Sequence, residues 1–319
     1  MSEDALDIVV GGGLAGERLD RAVALLTGLS RREVADLVTA GSVRVDGRLA
    51  TVRSRALADG QRLEVNVPTP TPTGPVADAT VAFGVVYEDD DVVVVDKPAG
   101  LVVHHGSGHG GGTLVDGLLA RYPDLADLPP AGFGDPARPG IVHRLDKATS
   151  GLLVVARSPA AFATLSAQLR AHTAGRDYAA LVVGSVASAA GVVDAPIGRS
   201  ARTPTRMAVT GSGRPARTSY RIRTRYTAPW AATLLDVALA TGRTHQIRVH
   251  LAAIGHPVVG DNHDGGTRAR PEALTGVLAP GRVFLHAARL AFDHPDGTPR
   301  RFESALPADL QAVLDRFEA

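Results

Sequence analysis

Ile141-Val142-His143-Arg144-Leu145-Asp146-Lys147-Ala148-Thr149-Ser150-Gly151 leads directly into the apolar run 152–156. The segment sets one carboxylate, Asp146, between two cations, Arg144 and Lys147. Ser150-Gly151 turns the chain, and the short apolar run after it reads as a buried strand. Flanking positive charge favours the ionised carboxylate. An anionic aspartate suits nucleophilic or electrostatic work and suits general-acid work poorly. A surface ion pair at the start of a strand would look the same from this segment alone, so the rest of the chain has to decide.

At 319 residues the chain has length for about two domains, and 45% hydrophobic content supports a sizeable core. Cysteine is absent, which excludes disulfides and thiolate–metal sites and fits a reducing cytoplasm. There is no apolar run of membrane-spanning length and no signal-peptide pattern at the N-terminus. A cytoplasmic protein without a membrane partner is therefore expected. The net charge of +1 says little about partners, but its distribution says more. Arg199, Arg202, Arg206, Arg214, Arg217, Arg221, Arg223 and Arg225 follow one another with no acidic residue between them. Such a stripe can neutralise phosphates.

Residues 1–16 read as a flexible tail. Leu19, Ala22, Val23 and Leu26 then recur at helical spacing. Ser30 with Glu33 forms a capping box for a second helix, which Gly41 ends. Val43, Val45, the Asp46-Gly47 turn and the alternating Leu63 and Val65 predict a small hairpin element. Residues 17–67 thus form one small domain with Arg31 and Arg32 exposed. Residues 68–79, rich in alternating proline and threonine, predict a linker, and 80–319 a larger domain.

Within that domain 92–95 reads as a strand that Asp96-Lys97-Pro98-Ala99-Gly100 breaks, and 160–172 as an amphipathic helix. The histidine- and glycine-rich 104–112 lacks both the lysine of a phosphate loop and a full ligand set for zinc. It reads as a flexible loop. An alternating strand precedes Gly242-Arg243-Thr244-His245-Gln246-Ile247-Arg248, which opens a helix whose N-terminus can attract anions. His245 and His250 have a chelating spacing but no third ligand, so no metal is expected.

Three of these segments together resemble the RluA/RluD family of RNA pseudouridine synthases. They are the 143–151 run, Arg176-Asp177-Tyr178-Ala179-Ala180-Leu181-Val182, and the 235–251 run; Asp96–Gly100 and 255–261 add to them. The small domain, through its Ser-Arg-Arg-Glu and Val-Asp-Gly elements, resembles an S4 RNA-binding module. The resemblance implies an α+β fold: a mixed, largely antiparallel sheet flanked by helices, plus a small N-terminal S4-like α/β module. It implies Asp146 as the catalytic carboxylate, Arg248 as its partner and Tyr178 against the target base, with Tyr178 also a candidate base for the C5 proton. Ile247 would line the base pocket and Arg144 would fill the space left by a flipped base. His143, Arg243 and His245, with Arg31 and Arg32 of the small module, would contact RNA. The implied reaction, uridine to pseudouridine, oxidises nothing and imports no group, so no cofactor is expected. The implied state is a monomer acting on structured RNA, most readily large-subunit ribosomal RNA. A transfer RNA target, or a catalytically silent RNA-binding assembly factor, are the alternatives. Two departures stand out: Arg176 replaces the family lysine, and Asp264 stands where a tyrosine is usual.

Overall fold

The computed structural model describes residues 5–67, 74–105, 111–127, 138–264, 274 and 276–318. Within it the chain divides into two compact units, Met1–Thr73 and Gly74–Ala319.

In the first unit the hydrophobic pattern folds as its spacing dictates. Leu19, Ala22 and Val23 bury one side of α1 (Leu19–Thr27). The Ser30 hydroxyl accepts from the Glu33 N–H and the Glu33 carboxylate accepts from the Ser30 N–H, starting α2 (Arg31–Thr39). Asp46 and Gly47 both adopt positive φ, which suits the tight turn joining β2 (Val43–Val45) to β3 (Arg48–Leu49). With β1 (Ala5–Val9) and β4 (Arg62–Asn66) they make an antiparallel sheet in the order β1-β4-β2-β3. Here the expected flexible tail is corrected. Ala5 pairs with Asn66 and Val9 with Arg62, Leu6 and Ile8 pack on the core, and Asp7 accepts two hydrogen bonds from Arg62.

The second unit is built on a sheet of nine strands among the described residues. They are β5 (Gly84–Glu88), β6 (Val92–Lys97), β7 (Ser150–Ala156), β8 (Gly175–Val183), β9 (Ala190–Asp194), β12 (Arg217–Tyr226), β13 (Ala232–Leu239), β14 (Leu285–Asp293) and β15 (Pro299–Glu303). A separate ribbon pairs β10 (Ile197–Arg199) with β11 (Met207–Val209). The main order is β5-β6-β7-β14-β8-β13-β12-β9, with β15 on β14. Only β7–β14 is parallel among these pairs, so the sheet is mixed and largely antiparallel, as expected.

Helices cover both faces, and this explains the unbroken apolar runs. Val93 and Val95 of β6 join one core with α3 (Leu114–Arg121) and α5 (Gln246–Ala253). Val92 and Val94 join another with α4 (Pro159–Ala171). A third cluster seats α6 (Ala308–Glu318). Strand β6 runs on through Lys97, two residues past its expected end. The expected linker at 68–79 is described only in its second half. Residues 68–73 lie outside those described, whereas the Val76 and Asp78 N–H groups donate to the Asp116 carboxylate and carbonyl. No helix among the described residues is long and apolar enough to cross a membrane.

Candidate active site

Asp146 sits in a turn that the fold pins from several sides. Its own carbonyl accepts from the Thr149 N–H at 3.0 Å, and the next carbonyl, Lys147, accepts from the Gly100 N–H at 2.7 Å. The buried Arg282 donates from Nη1 to the Ala148 carbonyl at 2.8 Å and from Nη2 to the Ser150 hydroxyl at 2.9 Å. The following residue, Gly151, has φ +112°, and a Cβ there would lie 2.3 Å from the Ala287 carbonyl oxygen. Glycine at 151 is thus what allows β7 to run beside β14 immediately after the turn.

Beneath the turn lies Lys97, with none of its surface exposed. Its Nζ donates to the carbonyls of Pro98 at 2.9 Å, Leu101 at 2.8 Å and Lys147 at 3.4 Å. Burial lowers its pKa to about 7, although the nearby Asp146 carboxylate pulls the other way. Neither Lys97 nor Arg282 stands out as a site residue in the sequence. Their types suggest surface, and only the carbonyls gathered from distant segments reveal what they hold.

The Asp146 side chain is 22% exposed and faces a cavity of about 50 Å³. That cavity also meets Arg144, Tyr178, Arg243, His245, Ile247 and Arg176, and so unites most of the residues singled out from the sequence. Arg248 Nη1 lies 3.6 Å from Asp146 Oδ2. This is the expected partner, but it is not Arg248's main one. Its Nε and Nη2 donate to both oxygens of Asp261, at 2.9 and 2.7 Å, and Nη2 also lies 2.9 Å from Asp264 Oδ2. The bidentate grip of Asp261 fixes the guanidinium plane and leaves Nη1 as the edge turned to Asp146. In the sequence Asp261 is only part of a matching run, with no role attached.

The residues that open α5 hold the other wall. The Gln246 Oε1 accepts from Thr241 Oγ1 at 2.6 Å and from the Arg243 N–H at 3.0 Å. Its Nε2 donates to the Arg217 carbonyl at 3.0 Å. His245, with φ +56°, precedes the helix and places Nδ1 2.7 Å from Asp264 Oδ2. The departure at 264 therefore carries a network: Asp264 is buried against Arg248, His245 and His263. Its carboxyl is held down at about 2: burial works against ionisation, and the His245 hydrogen bond and the Arg248 charge outweigh it. His245, His263 and Asp264 have ligand atoms within 4.8 Å of one another. The same carboxylate faces Arg248, whose charge opposes a bound cation. His250 is a core histidine, bonded to Thr218 Oγ1 and the Ala195 carbonyl, both at 2.9 Å.

Tyr178 is buried, and burial pushes its phenol up to about 12. At neutral pH it is a neutral phenol, so the role of C5 base read from the sequence does not suit it. His143 is tied to the strand after the turn: its Nε2 accepts from the Val154 N–H at 3.1 Å, and burial pushes it down to about 3. It is a neutral structural acceptor that also lines the neighbouring groove. Arg144 is exposed and donates from Nη2 to Thr244 Oγ1 at 2.7 Å. Arg31 is exposed at the start of α2 in the first unit, and the Arg32 side chain lies outside those described. The arginines of the stripe have different partners. Arg217 pairs with Asp194 and Arg223 with Asp236, and Arg225 donates to the carbonyls of Val186 and Ala187. Arg214, by contrast, lines a cavity with Arg144, Arg243 and Thr244.

Comparison with known proteins agrees with this geometry. Residues 91–253 match the family described as RNA pseudouridylate synthase. The chain is 42% identical over 315 residues to "Ribosomal large subunit pseudouridine synthase D" of Nitrosomonas europaea, covering 98% of this chain and 88% of that one. It is 46% identical over 313 residues to an "Uncharacterized RNA pseudouridine synthase" of Chloroflexus aurantiacus, covering 98% and 93%. Among solved structures, "Human RNA Pseudouridylate Synthase Domain Containing 1" is 26% identical with a TM-score of 0.55, over 72% of this chain and 86% of that one.

Proposed function

Given that the chain belongs to the RNA pseudouridylate synthase family, we propose that it isomerises uridine to pseudouridine in large-subunit ribosomal RNA, with Asp146 as the catalytic carboxylate. The target class rests on the names of several relatives, among them those from Nitrosomonas europaea and Xanthomonas campestris. The observation that carries the reading is the placement of Asp146 Oδ2, 3.6 Å from Arg248 Nη1, in a cavity shared with Tyr178 and Ile247.

The reaction breaks the C1′–N1 bond, forms C1′–C5, and moves one proton from C5 to N1. It therefore needs a lone pair on the enzyme and a held base, with no electron acceptor. A carboxylate can add to C1′, add to C6 or take a sugar proton, and each route requires the anion. Arg248 supplies the compensating charge and, because Asp261 fixes it, does so without reorganising during the reaction. A paired uridine must first leave its stack, at a cost of a few kcal/mol. Tyr178 and Ile247 offer the extruded ring an apolar slot. Arg144 is exposed, joined to Thr244, and suited to enter the space the base leaves. The first unit is read as an S4-like RNA-binding module, supported by its two helices, the second opened by a capping box, its hairpin and the exposed Arg31.

Tritium release from large-subunit RNA transcribed with [5-³H]uridine tests the reaction. The wild-type protein releases label, and Asp146→Asn releases none while binding the RNA within several-fold. Turnover by Asp146→Asn would overturn the assignment.

A further inference from the structure

Beside the Asp146 cavity runs a second, larger hollow of about 500 Å³, between α4, the segment 138–144 and the turn 241–243. Arg144, Arg176 and Arg243 line both hollows, so the two share a wall. Arg138 and Arg170 bring the arginines of the larger one to five, and no carboxylate is among its described lining residues.

Arg176 is the unusual member. It is only 8% exposed, yet its Nε has no hydrogen-bond partner among the described residues. Its Nη2 donates to two backbone carbonyls, Ala240 at 3.1 Å and Leu239 at 3.4 Å. The other buried arginines of this unit are treated differently: Arg248 holds Asp261 and Asp264, and Arg282 holds Asp309. A buried guanidinium without a counter-ion is costly, and burial lowers its pKa accordingly. The turn is also shaped to admit it. A Cβ at Gly242 would lie 2.9 Å from Arg176 Nη1, so bare backbone at 242 lets the guanidinium reach the rim.

We propose that this hollow is an RNA-backbone subsite, in which Arg176 is the buried anchor for a phosphodiester adjacent to the flipped uridine and Arg170 guides the strand along α4. The planar fork of arginine matches phosphate oxygens bidentately. Because Arg176 borders both hollows, an anion bound there lies next to whatever nucleoside occupies the Asp146 cavity. This deepens the reading of the site as an RNA synthase and rests on it.

The test measures binding of the full-length protein to in vitro transcribed large-subunit ribosomal RNA between 50 and 300 mM KCl. Each lost phosphate contact lowers the slope of log K against log [salt] by about 0.7 to 0.9. Arg176→Gln and Arg170→Ala are each expected to lower the slope by about that amount and to raise KM several-fold. Arg176→Lys, which keeps the charge, should restore the slope. A merely structural role for Arg176 would leave the slope of a folded variant unchanged. Unchanged slopes in both Arg170→Ala and Arg176→Gln overturn the proposal; should Arg176→Gln not fold, Arg170→Ala decides alone. Wild-type protein that shows these slopes but releases no tritium would sink the synthase reading instead, leaving a phosphate-binding groove.

Discussion

Lys97 gives the sharpest test of how the catalytic turn is held. Its ordinary pKa of 10.5 is lowered to about 7 because its ammonium is wholly buried. In the unfolded chain the amine regains its ordinary affinity for a proton. The unfolded state therefore binds more protons between pH 7 and 10.5, and stability must rise with pH across that window. The contribution is fully present above pH 10.5 and is lost as pH falls through 7. The whole shift is worth about 5 kcal/mol at 1.36 kcal/mol per unit. Integrated from pH 7 to pH 9, it amounts to about 2.3 kcal/mol. Lys97→Met removes the titrating group while keeping the side chain's length, so subtracting its stability cancels the other ionisable groups. Urea unfolding at both pH values, followed by the fluorescence of Trp230 in the same unit, measures the difference. The wild-type advantage over the variant should grow by about 2 kcal/mol from pH 7 to pH 9. A gap that stays constant, or that narrows, would refute the reading of Lys97 as a buried amine held at a depressed pKa beneath the Asp146 turn.

Asp261→Asn breaks the bidentate grip on buried Arg248 and should cost about 3–5 kcal/mol in urea unfolding. Tritium release should fall roughly 100-fold as Arg248 loses its set direction. Gly151→Ala places a methyl against the Ala287 carbonyl at positive φ; overpacking and backbone strain together should lower stability by about 4 kcal/mol, read by urea unfolding. Tyr178→Phe should leave the pH dependence of single-turnover rates between pH 6 and 10 unchanged in shape, since a phenol pushed up to about 12 does not titrate there. A limb that disappears on this substitution would restore Tyr178 as a base.

The parts of this chain that are legible in its sequence are those whose chemistry is local. The capping box at Ser30, the buried valines of β6 and the charged run around Asp146 each depend on neighbours within a few residues. Tyr178, Ile247 and Arg248 stand out by motif; β8 and α5 bring the first two to the cavity that Asp146 faces and the third within 3.6 Å of its carboxylate. What stays hidden depends on strands and loops distant in sequence. Asp261 lies 13 residues from Arg248, and only the path of the backbone after α5 turns the two together. Lys97 reads as part of the break after a strand until the carbonyls of 98, 101 and 147 surround it. The arginine stripe looks like a single phosphate surface because its run contains no acid. Strands β9 and β13, which flank β12, supply Asp194 and Asp236 from outside the run. Arg176 carries the opposite lesson: a substitution that preserves charge conceals whether that charge has a counter-ion.

The pairing of β1 with β4 bears on how the protein should be handled. A chain trimmed to begin at Glu17, the natural cut if the first sixteen residues were dispensable, would lose a whole rung of the small sheet. It would bare the backbone donors and acceptors of 62–66 along a newly made edge, an open template for chain-to-chain pairing. Truncation there would therefore trade a compact module for one prone to self-association, and affinity tags belong ahead of Ala5 or at the other terminus.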